Sequence, residues 1–101
     1  MKIYTFEEIK KIAVPIAQKY DVKKMALFGS YARSEQREWS DIDFLLEKGN
    51  SKKLNGLDYF AFILDLEEAF GVDVDVITYD NLANSMISYA IEDEVLLYEQ
   101  T

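Results

Sequence analysis

Between positions 5 and 20 the apolar residues Ile9, Ile12, Ala13, Ile16 and Ala17 return every three or four places, the period of one helix face. Thr5 with Glu8 three residues later reads as a capping box that starts this helix, which is expected to run to about Tyr20. Pro15 falls inside it and predicts a kink or a split, because its ring displaces a backbone hydrogen bond. Residues 25–28 are short and apolar, the mark of a buried strand, and 30–37 leave room only for a brief helix or a loop. Residues 42–47 read as a second strand. The polar stretch 48–55, with Gly49 and Gly56 near its ends, reads as a loop. Leu57, Phe60, Ala61 and Leu64, joined by Ile63, Leu66 and Phe70, form a wide apolar helical stripe that stops at Gly71. Residues 72–78 predict a third strand, with Asp73, Asp75 and Ile77 on one face. Asp80 is placed to cap a last helix through about Ile91, and 95–98 to add an edge strand. The order α-β-α-β-α-β-α, with a terminal β, predicts an α+β fold: a mixed sheet of three to four strands packed with helices.

The 101 residues are expected to form a single domain spanning 1–101. Half are apolar, enough for a packed interior. No apolar run approaches the roughly 18 residues that would span a bilayer, and residues 1–12 alternate charged and apolar positions unlike a signal segment. The expected location is the cytoplasm, with no membrane partner. Cysteine and histidine are both absent, which excludes disulfides, thiolate nucleophiles, Cys/His zinc sites and a Ser-His-Asp triad. Any chemistry must rest on carboxylates, hydroxyls, amines or a hard metal ion. A net charge of −8 argues against an extended nucleic-acid footprint, which needs clustered Lys and Arg. It suits a ligand met through a cation, or a basic protein partner.

The chemistry is concentrated in "LFGSYARSEQREWSDIDFLLE", residues 27–47. Asp41 and Asp43 stand two apart at the opening of a strand, so they share a face, roughly 6.6 Å apart along the chain. Two ionised carboxylates so placed repel each other unless a cation sits between them. A pair of Mg²⁺ ions, held about 3.5–4 Å apart as in two-metal phosphoryl-transfer sites, supplies that compensation. Asp75 on the third strand would join them if the strands are neighbours, as a metal ligand and proton acceptor. Gly29 permits a sharp turn and close approach of phosphate oxygens, and Ser30 adds a hydroxyl and a backbone N–H. Arg33 lies one turn on. Taken singly, each piece has an ordinary reading: a Gly-Ser turn, a solvated Asp-x-Asp face, surface arginines. Together, Gly-Ser, ten residues, Asp, one residue, Asp match by chance on the order of once per 10⁵ start positions.

"FGSYAR…SDIDFLL" resembles the signature of the minimal nucleotidyltransferase (MNT) family, within the polymerase-beta-like nucleotidyltransferase superfamily. The resemblance extends from the first helix to the closing "IEDEVLLYE" and implies a palm-like core that uses ATP and Mg²⁺. By position, it implies that Ser30 holds the terminal phosphates, with Gly29, Arg33 and Ser40 also at the nucleotide. Asp41, Asp43 and Asp75 would be the metal-binding, catalytic carboxylates. Asp75 is preferred to Asp73 because an apolar pair, Val76-Ile77, follows it. One departure is Ser34, where the family carries Gly after Ala-Arg; if the position needs positive φ, serine costs about 1 kcal/mol or less. The resemblance further implies an antitoxin that moves AMP from ATP onto a tyrosine of a HEPN-type ribonuclease toxin. Two other readings stand beside it. One is a binding-only antitoxin, against which the intact carboxylates argue. The other is a small-molecule nucleotidyltransferase of the aminoglycoside-modifying kind, against which the lack of length for an acceptor domain argues.

Overall fold

Thr5 and Glu8 form the capping box their spacing predicts: Thr5 Oγ1 accepts from the Glu8 N–H at 3.1 Å, and Glu8 Oε1 accepts from the Thr5 N–H at 2.9 Å. In the computed structural model, which describes residues 3–37, 41–49, 52–79 and 94–100, this box opens helix α1, Phe6–Lys19. Ile9, Ala13 and Ala17, four apart, are its fully buried row. The split expected at Pro15 does not occur, and α1 runs through it. Pro15 lies on the solvent side, so the carbonyl of the exposed Lys11 loses its helical partner where water can replace it.

Strand β1, Lys24–Phe28, leads into a single turn of helix, α2, Gly29–Ala32. Strand β2, Ile42–Glu47, is followed by a polar loop that contains a 3-10 turn, Lys52–Leu54, whose Leu54 is buried. Helix α3 spans Leu57–Phe70 and ends at Gly71, whose N–H still donates to the Glu67 carbonyl at 2.8 Å and whose φ of 72° turns the chain out of the helix. Strand β3, Val74–Thr78, starts two residues later than the pattern of 72–78 suggests, because the turn out of α3 takes up Val72 and Asp73. Strand β4, Val95–Glu99, is the expected edge strand. The helix expected from Asp80 to Ile91 lies outside the described residues.

The four strands form one mixed sheet in the order β3-β2-β1-β4. β1 is antiparallel to both β2 and β4, and β2 is parallel to β3. Alternation along each strand divides the sheet into two faces. Met25 and Leu27 of β1, with Ile42, Phe44 and Leu46 of β2 and Val74 of β3, join α1 and α3 in the main core. Phe70 fixes the helix end into this core, edge-on to Tyr4 at 5.2 Å and tilted against Phe44 at 6.0 Å. The opposite face carries a small cluster of Ala26 and Leu45 with Phe28, Ile77 and Tyr79 around them. It also carries Asp43 and Asp75.

The apolar stripe read for α3 is corrected in its direction. The helix buries Phe62, Leu66 and Phe70, with Tyr59 and Ile63 beside them, whereas Leu57, Phe60 and Leu64 face solvent. Apolar residues surround most of this helix, so periodicity alone could not choose between its two sides. The i, i+4, i+8 row of Phe62, Leu66 and Phe70 meets the sheet. No helix among the described residues is long and apolar enough to cross a membrane.

Candidate active site

Phe44 and Leu46 enter the core, so Asp43, one residue before Phe44, is forced onto the opposite face of the sheet. Register then supplies its neighbours: Asp43 pairs with Phe28 across the antiparallel ladder and with Asp75 across the parallel one. Adjacent strands are about 4.8 Å apart, and the two carboxylates meet in a side-chain hydrogen bond. Two like charges in contact favour a proton. The Asp43 carboxyl is pushed up to about 6, first by its partial burial, then by the hydrogen bond and charge of Asp75 and the charge of Asp41. The charge of Arg33 pulls it down.

Gly29 follows β1 directly and closes the turn over this pair. Its φ of 73° lies in the region that glycine enters freely, and a Cβ there would sit 2.2 Å from Asp43 Oδ2. Both the turn and the carboxylate therefore require that residue to have no side chain. Ser30 and Tyr31 continue the turn, with the Ser30 carbonyl accepting from the Glu35 N–H at 2.8 Å. The buried Tyr31 hydroxyl accepts from the Tyr4 N–H at 3.2 Å, and the Tyr4 hydroxyl donates to the Phe70 carbonyl. This chain of contacts ties the turn to the entry of α1 and the exit of α3. Ser34 adopts φ 57°, so the position does use the left-handed region in which glycine is favoured.

The sequence candidates are therefore gathered unequally. Asp43, Asp75 and Gly29 are in direct proximity. Arg33 is exposed, with its Nε 3.5 Å from Glu35 Oε2, and it acts on Asp43 through its charge. Asp41 is exposed just ahead of β2, close enough to raise Asp43 by charge. Among the described residues no three acidic side chains close into a cation cage. Ser40 lies outside the described residues. Asp73 contributes through its backbone, its carbonyl accepting the Ile42 N–H at 3.2 Å and holding β2 to β3. The bracing tyrosines Tyr4 and Tyr31 went unread in the sequence, since no local pattern marks a hydrogen bond across 27 residues.

The donor set fits a hard divalent cation. Oxygen-only carboxylates suit Mg²⁺. The directly opposed pair of Asp43 and Asp75 already shows an excess of negative charge that a proton relieves in the protein alone.

The chain matches the nucleotidyltransferase domain family over residues 9–98. It is 49% identical over 75 residues to a "putative protein adenylyltransferase" of Methanocaldococcus jannaschii, covering 74% of this chain and 78% of that one. Its fold resembles a chain of a toxin–antitoxin crystal structure with AMP-PNP, with a TM-score of 0.76 at 18% identity over 91% of this chain and 74% of that one. It also resembles a chain from the complex of a tri-AMPylated Shewanella oneidensis HEPN toxin with its MNT antitoxin. There the TM-score is 0.72 at 15% identity, over 95% of this chain and 74% of that one.

Proposed function

Because the chain belongs to the nucleotidyltransferase domain family, we propose that it transfers AMP from ATP to a tyrosine of a HEPN-type ribonuclease toxin, and acts as that toxin's antitoxin. The observation that carries this reading is the Asp43–Asp75 pair held under the Gly29 turn. Two carboxylates in contact repel each other, and a divalent cation carrying a polyphosphate would offset that repulsion. The names of the relatives and structural neighbours support the same reading, since they include protein adenylyltransferases and toxin–antitoxin complexes.

In the reaction the tyrosine oxygen bonds to the α-phosphorus of ATP as the bond to the pyrophosphate oxygen breaks, and pyrophosphate leaves. Asp43 and Asp75, with Asp41 joining from the mouth of the site, would hold two Mg²⁺ ions. When bound, these ions neutralise the polyphosphate and steady the charge that develops on the leaving oxygens. Asp75 would take the tyrosine proton as the oxygen attacks. The Gly29 turn gives the polyphosphate a close approach to backbone. Ser30 would offer a hydroxyl to its terminal oxygens, and Arg33, whose charge already acts on Asp43, would meet the same phosphates; Ser40 is assigned to the nucleotide by its place in the sequence motif alone. Tyr31 and Tyr4 do not touch substrate. They hold the turn at the height at which the carboxylates and the phosphates can meet.

Intact-mass spectrometry tests the reading. A HEPN-type toxin, incubated with the protein, ATP and Mg²⁺, should gain one or more AMP masses, and omission of Mg²⁺ should prevent the gain. Tight complex formation with no mass change would refute the transferase reading in favour of a binding-only antitoxin.

A further inference from the structure

Leu57, Phe60 and Leu64 recur at three- and four-residue spacing on α3, yet they are 84%, 66% and 59% exposed. They lie opposite the row formed by Phe62, Leu66 and Phe70, so they point away from the sheet and from the carboxylate cleft on its other face. A helix that turns large apolar side chains to water has a second face to cover. Acidic residues border this one: Asp58 at the start of the helix, Glu67 and Glu68 in its last turns, and Asp65 on the side toward α1. Lys19 pairs with Asp65 at 3.2 Å, and Glu67 accepts the Val74 N–H. Asp58 and Glu68 have no ion pair among the described residues. A groove between α1 and α3, lined by Pro15, Ile16 and Ala69 with Glu68 at its lip, widens the same surface.

We infer that this outer face of α3 is where the protein holds its acceptor protein, through an apolar ridge of that partner flanked by Lys and Arg side chains. The inference rests on the reading that the acceptor is a protein. Charge decides the occupant. A second copy of this chain would set an acidic border against an acidic border, with a net charge of −8 on each side. A partner with a basic rim places opposite charges around an apolar centre, the arrangement that both anchors and steers a complex. Because the stripe and the cleft lie on opposite sides of the sheet, holding the partner and modifying it are separable functions of one small domain.

The test measures affinity for a HEPN-type toxin, used as the probe, by calorimetry at two salt concentrations. Leu57→Ser, Phe60→Ser and Leu64→Ser are compared with wild type, with Leu96→Ser as an exposed apolar control on β4 and with Asp43→Asn. Truncating an interface anchor should weaken binding on the order of tenfold or more in the three stripe variants, and Leu96→Ser should bind as wild type. Asp43→Asn should bind the toxin normally while failing to add AMP to it. Association should slow as salt rises. Unchanged melting temperatures will show that loss of binding is not loss of fold, and Leu57, the most exposed of the three, is the safest substitution. Wild-type affinity in all three stripe variants would overturn the inference and leave the transferase reading intact. Failure of wild type to bind the toxin would overturn both. Stripe-dependent self-association of the toxin-free protein in sedimentation would make a second copy the occupant, and would overturn it too.

Discussion

Replacing Asp43 with Asn separates the chemistry of the site from its cost. In the protein without a divalent cation, Asp43 titrates at about 6 instead of 3.8, because of its partial burial and then its contact with Asp75. A raised carboxyl pKa means that the native state binds the proton more tightly than the unfolded chain does. Stability from this group is therefore full below about 3.8 and is lost as pH rises through about 6. At 1.36 kcal/mol per pH unit the gap is worth at most about 3 kcal/mol. Asp43 is only half-buried, and solvent screening reduces this to about 1–2 kcal/mol. Asn keeps the shape, still donates to Asp75, and carries no charge.

Asp43→Asn should thus melt above wild type at pH 7.5 in a chelator, by roughly 5–10 °C for a domain of this size. At pH 4 the two should melt together. Taking the difference between the two proteins at each pH cancels every other titrating group. Adding Mg²⁺ at pH 7.5 should raise wild type by more than Asp43→Asn, because the variant lacks one of the three carboxylates assigned to the metal. Nucleotide transfer by the variant should fall by orders of magnitude, since phosphoryl-type transfer depends on positioning and electrostatics. Scanning calorimetry over pH 4–8 and a transfer assay on the same samples decide it. A variant that melts below wild type at pH 7.5 would refute the repulsion argument. A variant that still transfers near the wild-type rate would remove Asp43 from catalysis.

Gly29→Ala forces a Cβ to within 2.2 Å of Asp43 Oδ2 at a φ of 73°. The same Cβ would lie 3.1 Å from Asp43 Cγ and 3.3 Å from its Cβ, so the turn or the Asp43–Asp75 pair must shift. Stability should drop by about 1–3 kcal/mol, while transfer should fall much further; paired melting and transfer measurements check the imbalance, and an equal loss in both would contradict it. Ser34→Gly should stabilise the protein by about 0.5–1 kcal/mol, because φ 57° suits glycine better than serine. A melting temperature unchanged or lowered would show that the unfolded-chain entropy of glycine outweighs the relief.

Local pattern made much of this fold legible. The Thr5–Glu8 box, the Gly71 stop and the apolar strand residues each have a signal within a few positions, and each element formed near its expected place. The same holds for the Asp43–Gly29 spacing, because Gly29 directly follows Phe28, the end of β1, and Phe28 stands opposite Asp43 across the paired strands. Features that depend on distant contacts were not legible. The side of α3 that meets the sheet is chosen by what Phe44 and Tyr20 offer to Phe70 and Phe62, and a helix apolar on most sides carries no internal cue. Pro15 predicts a kink or a split because sequence cannot show that the carbonyl it orphans stays in water.

The placement of the reactive pair follows from packing rather than from any preference of the carboxylates themselves. Ile42, Phe44 and Leu46 fill the core from alternate positions of β2, so the intervening Asp43 has only the other face to occupy. A slip of one residue in that strand would bury Asp43 beside Phe70 and expose Phe44, at a cost far above that of the native repulsion between two carboxylates. Parallel pairing with β3 then fixes which residue stands opposite, and Val74 in the core orients Asp75 the same way. Hydrophobic alternation on two neighbouring strands is thus what brings two like charges together and keeps them there. The core supplies the free energy that holds an unfavourable pair in place, and it is this repulsion that the proposed cation would relieve.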